Sequence, residues 1–234
     1  MASKIGLSHE AHPHPTLLSD FILGSQDGLV NVLGVLLGLV AAGSPLGLVR
    51  IGALAALAAE SISMGAVAYT STLARRKQYL AELEREEREM REVPEMEREE
   101  VRVILRKWGY VGDEVEEMVR RIEAKPKAWL DIMMAFELNL AEVTAEQPVS
   151  SGFTVLGSTI AGSIVPLVPF LLALPRVTAT ISSVVLAGIM LLGVGFYEAR
   201  TTTGSLWSSG ARMVLIGLGA GFAGFLVGHF LAPG

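Results

Sequence analysis

Five long apolar runs and one dense charged block predict an all-α, polytopic membrane protein. It would have five transmembrane helices and a helical water-soluble domain inserted between spans two and three. The 234 residues are 51% hydrophobic, with a mean hydropathy of +0.48. Soluble domains already reach about 45–50% apolar residues, so the distribution decides. Gly28–Val49 and Val177–Tyr197 carry no charge, nor does Gln147–Pro175. Ile51–Ala74 carries only Glu60, and Met213–Pro233 only His229. Uncharged runs of about 18 residues or more are long enough to cross a bilayer as helices. They lack the apolar/polar alternation of barrel strands. Of the 43 acidic and basic residues, 33 fall within Arg75–Gln147, as 14 Lys/Arg and 19 Asp/Glu. The expected organisation is a tail over 1–16, spans one and two over 17–74, the charged domain over 75–147, and spans three to five over 148–234.

Composition removes several function classes. The chain has no cysteine, which excludes disulfides and thiolate metal sites. Its net charge is −5, and its basic residues are interleaved with carboxylates, so nucleic-acid binding has no support. The first apolar run is too long for a cleaved signal sequence. With the charged block in the cytosol, Lys4, Arg200 and Arg212 also lie inside, leaving only Arg50 and Arg176 outside. Lys/Arg bias therefore predicts a cytosolic N-terminus and a cytosolic 75–147 domain.

In chain order, the tail offers His9, His12 and His14, a metal-recruiting possibility that is outweighed by a simple polar tail. Span one (about 17–42) carries Asp20 near its start, then Asp27 and Asn31. The last two stand four apart on one face. A carboxylate inside a span is costly unless it faces a polar interior, so Asp27 is a candidate site residue. The turn Gly43-Ser44-Pro45 leads to span two, about 46–74. Glu60 and Met64 share a face there, pairing a carboxylate oxygen with a thioether sulfur. That mixed donor set suits a divalent transition ion better than Na⁺, Mg²⁺ or Ca²⁺.

Span two has nothing to stop it before Pro94. Along it Glu84–Arg88 and Glu87–Arg91 are i,i+4 pairs in the favourable order. That leaves Glu86 and Glu89 as a carboxylate pair. Pro94 opens a second helix bearing Glu97 and Glu100 and ending near Gly109. Asp113 with Glu116 reads as a capping box for a third helix, to about Ala124. Pro126 opens a fourth, expected to run to Glu146, with Met133, Met134 and Glu137 in one turn. Packed together, these clusters could hold several divalent ions; Glu-rich helix faces that are merely solvated are the plainer alternative. Span three (about 151–173) carries Pro166 and Pro169, which free backbone carbonyls for other partners. Span four (about 177–197) ends at Glu198 and Arg200. Span five (about 211–230) carries Gly217, Gly221, Gly224 and Gly228, a small-residue face for close packing.

These residues together resemble the vacuolar iron transporter family. The resemblance runs from about Leu17 to Gly228. It rests on Asp27-Gly28-Leu29-Val30-Asn31, Glu60 with Met64, Pro166 with Pro169, and Gly210-Ala211-Arg212-Met213. It also rests on the two Glu pairs flanking Pro94 and on Trp-Leu-Asp-x-Met-Met-x-x-Glu at Trp129–Glu137. The resemblance implies a homodimer that moves Fe²⁺ out of the cytosol in exchange for protons. It implies pathway ligands at Asp27 and Met64, and cytosolic-domain ligands at Glu86, Glu89, Glu97, Glu100, Met133, Met134 and Glu137. Glu60 and Asn31 join the pathway on their own chemistry. The same donors accept Mn²⁺, Co²⁺ and Zn²⁺. At Glu198 the family more often carries a basic residue. The Ala/Gly/Arg-rich composition and compact tail point to a prokaryotic source and a plasma-membrane location; a plant or fungal source would make it vacuolar.

Two other classes compete. The carboxylate helices invite a membrane-bound di-iron oxidase, although the Glu-x-x-His motif of ferritin-like sites is absent from the sequence. A membrane-anchored metal sensor would bind without transport.

Overall fold

The computed structural model describes residues 15–201 and 204–232; His9, His12 and His14 lie outside this range. In order the helices are α1 (Pro15–Ala41), α2 (Leu46–Glu92), α3 (Pro94–Lys107), α4 (Asp113–Glu123) and α5 (Pro126–Ile132). A π-helical turn, Met133–Glu137, follows, and then α6 (Gln147–Leu171), α7 (Arg176–Thr201) and α8 (Leu206–Leu231). The described residues contain no strand. Five of the described helices, α1, α2, α6, α7 and α8, are long and apolar enough to cross a membrane. The protein is an all-α polytopic membrane protein. It divides into two compact units, Met1–Tyr69 with Val149–Gly234, and Thr70–Pro148.

In the first unit α1 is the central helix, because two of its faces are apolar. Val32 and Leu36 pack with Val49 and Ala53 of α2, Leu167 and Phe170 of α6, and Ala179 of α7. Leu29, Leu33 and Leu37, one turn apart, pack with Ala187 and Leu191 of α7 and Met213 of α8. This i, i+4 spacing is what lets one helix fill two grooves. Close approach comes from small residues. A Cβ on Gly162 would run into the backbone of Ser25, and one on Gly228 into the carbonyl of Gly38. Such contacts drive helix association where lipid removes the hydrophobic incentive. Gly228→Leu should therefore force α8 off α1, at roughly 1–3 kcal/mol for overpacking. A lower Tm in detergent would register it, and an unchanged Tm would contradict this packing.

Basic side chains and turns satisfy the helix ends. Gly43 adopts φ +72 in the α1–α2 turn, a conformation glycine takes without strain. Arg176 Nη2 donates to the Ser44 carbonyl at 2.7 Å, and Arg50 Nε to the Phe170 carbonyl at 2.8 Å. Both contacts place a cation on a carbonyl at a helix end, and the Phe170 carbonyl also accepts from Ala173 N at 3.3 Å. Pro166 and Pro169 lie inside α6, and the Pro166 carbonyl accepts a hydrogen bond from Ser183 Oγ of α7.

The second unit has its own core: Val101 and Leu105 of α3, Val115 and Val119 of α4, Trp129 of α5, and Met133. Pro94 and Pro126 open their helices as expected. Three local expectations are corrected. The N-cap of α4 is Gly112 at φ +59 with no side-chain cap. The Glu116 carboxylate of the expected capping box is taken instead by Arg102, at 2.8 and 3.1 Å. The helix from Pro126 does not reach Glu146. It widens into the π turn and stops, with Leu138 N bonding Met133 O at 3.2 Å and Asn139 at φ +53. On α2 the expected Glu84–Arg88 and Glu87–Arg91 pairs do not close. The ion pairs there are Arg85 with Glu82 and with Glu89. Glu84, Arg88, Glu87 and Arg91 are all exposed, where solvated pairs gain little.

Candidate metal centres

Two groups of polar side chains need explanation, one in each unit. In the second unit Glu86 of α2, Glu97 of α3 and Glu137 of the π turn converge. Each offers one carboxylate oxygen, and the three oxygens lie within 4.8 Å of one another. Glu86 is 3% exposed and Glu97 2%. One oxygen of each, Oε2 in both cases, is buried with no hydrogen-bond partner. Buried polar atoms are nearly always paired, and an unpaired charge is costly. Two such buried carboxylates, each with an oxygen close to one on Glu137, are what a cation would complete.

The neighbours do not supply that cation. Arg98 pairs with Glu95 and Glu123, Arg102 with Glu99 and Glu116, Arg106 with Glu99, and Arg121 with Glu117. These four arginines thus pair with glutamates outside the cluster, while Arg85, which engages Glu89, only slightly favours the charged form of Glu86. The titration of the cluster reflects this. Glu97 is pushed up to about 8, first by burial and then by the charges of Glu100, Glu86, Glu137 and Glu89. Glu137, exposed as a whole residue, has a desolvated carboxyl raised to about 7, with Glu100 and Glu86 adding to the shift. Glu86 is also raised, first by burial and then by Glu89 and Glu100. Removal of water disfavours the charged form, and like charges disfavour it further.

Of the seven side chains expected here, the structure brings together Glu86, Glu97 and Glu137, with Glu100 in hydrogen-bonding reach of Glu137. Glu89 is not in that group; its Oε1 accepts from Arg85 Nε at 3.1 Å. Met133 and Met134 are both buried, and Met133 also belongs to the apolar core. The π turn was not legible from spacing. It closes i→i+5 rather than i→i+4, and such insertions concentrate at functional sites.

In the first unit Asn31 stands between two carboxylates. Its Nδ2 donates to Asp27 Oδ1 at 3.4 Å within α1, and to Glu60 Oε1 across on α2. Glu60 Oε2 is buried and has no partner. Met64 lies one turn from Glu60 on the same helix and is half-buried. Asp20 is tied separately, accepting from Ser151 Oγ of α6 at 2.5 Å. An apolar groove of about 720 Å³ runs from Asn31 past Gly34, Gly38 and Gly224. Glu198 pairs with Arg212 at 2.8 Å.

The VIT family pattern matches residues 18–229. The chain belongs to the VIT family. Among curated relatives, Vacuolar iron transporter 1 of Eucalyptus grandis is 33% identical over 209 residues, 89% of this chain and 84% of that protein. Vacuolar iron transporter 1 of Arabidopsis thaliana is 32% identical over 222 residues, 94% of this chain and 89% of its own. Protein CCC1 of Saccharomyces cerevisiae is 27% identical, covering 91% of this chain and 69% of the yeast protein. These plant and yeast relatives do not bear out a prokaryotic source for this VIT-family chain.

Proposed function

We propose that this protein transports Fe²⁺ across a membrane, out of the cytosol, in exchange for protons. The 70–148 unit collects the metal, and Asp27, Asn31, Glu60 and Met64 carry it through the membrane. Metal transport is the reading that VIT-family membership and the names of the relatives favour. The observation that carries it here is the pair of buried, unpartnered oxygens on Glu86 and Glu97 beside Glu137. Carboxylates joined by the sulfurs of Met133 and Met134 would mix hard and soft donors, which favours a divalent transition ion; Mn²⁺, Co²⁺ and Zn²⁺ are further substrates on the same chemistry.

Proton exchange follows from the same oxygens. A cation binds the deprotonated carboxylate, so metal and proton compete for each site. A homodimer is part of the proposal. Asn31 is exposed in the single subunit, and a polar group on a lipid-facing surface is costly, so a second copy would cover this face. The test is Fe²⁺ uptake into proteoliposomes with and without an acid interior. Uptake that requires the gradient supports exchange, and uptake indifferent to it removes the proton from the mechanism.

The role of Met133 is separable from its packing. Met133→Leu conserves volume and should cost less than about 1.5 kcal/mol, leaving Tm nearly unchanged. If its sulfur is a ligand, Fe²⁺ affinity falls at constant Tm; an unchanged affinity assigns Met133 to the core alone.

A further inference from the structure

Glu89 stands three residues from Glu86 on α2, a spacing that puts both on one face. Yet it is outside the carboxylate group formed by Glu86, Glu97 and Glu137. Arg85 engages it instead. Its Nε engages Glu89 Oε1 at 3.1 Å, while its Nη1 lies 3.8 Å from Glu82 Oε2. The guanidinium therefore sits between two carboxylates, one turn before it and one turn after. Its side chain is 57% exposed and so has room to move. Glu82 Oε2 is buried and makes no hydrogen bond, so a second acceptor is already in position for it.

We propose that Arg85 is a positioning residue that holds Glu89 away from the carboxylate centre and releases it when a divalent cation arrives, passing to Glu82. This rests on the metal-binding reading of that centre. An incoming cation repels Arg85 and attracts Glu89. The exchange swaps one charge-assisted hydrogen bond for another and needs only side-chain rotation. Arg85 thus sets the affinity of the centre, keeping it weak enough to release the metal.

The direction of the effect separates this from a merely structural ion pair. Loss of a structural pair lowers Tm and leaves binding the same or weaker. Loss of Arg85 should tighten it. The measurement is Mn²⁺ titration of the full-length protein in detergent, in an Asp27→Asn background so that the isotherm reports the second unit. Arg85→Gln should bind about three- to fivefold tighter, the scale of one exposed pair. Arg85→Lys should stay near the parent. Glu82→Gln, which removes the charge of the alternative partner, should bind weaker. Arg121→Gln, which breaks the Glu117 pair elsewhere in the unit, should change nothing. Unchanged or weaker binding in Arg85→Gln overturns the proposal. So does equal tightening in Arg121→Gln, which would reveal a general charge effect. Glu97→Gln distinguishes the two levels. If it binds Mn²⁺ as well as the parent, the metal centre itself is misassigned. If it loses binding while Arg85→Gln does not tighten, only the role of Arg85 fails.

Discussion

Asp27→Asn should abolish gradient-driven Fe²⁺ uptake in proteoliposomes, by at least about tenfold, the lower range for disturbing a metal's surroundings, without lowering Tm. The substitution keeps the size of the side chain and one acceptor oxygen. Asn31 Nδ2 can still donate to the new amide oxygen as it does to Asp27 Oδ1 at 3.4 Å. What is lost is a charge and a titratable proton inside a span. A carboxylate is tolerated there only when it serves a pathway or finds a partner, and here it accepts from a neutral amide that it shares with Glu60. If Asp27 exchanges metal for protons, its amide can do neither. Full-rate, gradient-dependent uptake by the variant would remove Asp27 from the mechanism. The same assay on Glu60→Gln then decides whether the other carboxylate on Asn31 carries the proton.

The membrane helices were legible because bilayer thickness imposes a length, and charge marks where each run stops. Hence α1, α2, α6, α7 and α8 fall where the uncharged runs do. The continuation of α2 past the membrane was equally legible, since nothing breaks it between Gly65 and Pro94. The three-residue spacings on separate helices left convergence open beside plain solvation, and the family resemblance implied Glu86, Glu97 and Glu137 as members of one site. The geometry of that site could not be anticipated. Which glutamates are neutralised depends on pairs distant in sequence, such as Arg98–Glu123 and Arg102–Glu116, and local spacing is blind to these. Spacing favoured Glu84–Arg88 over Arg85–Glu89 because a Glu N-terminal to its partner is the better order on an isolated helix. The folded unit overrides that preference by placing Glu89 at the edge of an anionic cluster. The π turn and the end of α5 depend on how Met133 enters the core, a tertiary constraint with no local sequence signal.

Glu97→Gln should have opposite effects on metal binding and on metal-free stability. Glu97 is 2% exposed and its Oε2 has no partner. Removing it as a ligand should weaken Mn²⁺ or Fe²⁺ affinity by more than the roughly 10–100-fold lost when only an outer-shell partner is changed. Without metal the carboxylate is a liability. Its value is about 8 in the folded protein, against 4.5 for the unperturbed group. Between those values the folded state holds a proton that the unfolded chain has released. Stability rises with pH only where the unfolded state binds more protons. Here the folded state binds more, so the metal-free unit loses stability as pH rises from about 4.5 to about 8. Glu137, raised to about 7, adds in the same direction. Chelator-treated protein should therefore melt higher at pH 5.5 than at pH 8, the reverse of a protein held by salt-bridged carboxylates. Glu97→Gln should raise the pH 8 Tm and narrow that gap, because an amide stays neutral throughout. Saturating metal should close the gap in the parent, since a bound cation takes over the compensating role of the proton. If the metal-free parent is instead more stable at pH 8, the cluster is not held as a protonated, uncompensated group. The buried oxygens of Glu86 and Glu97 would then need a partner other than a cation.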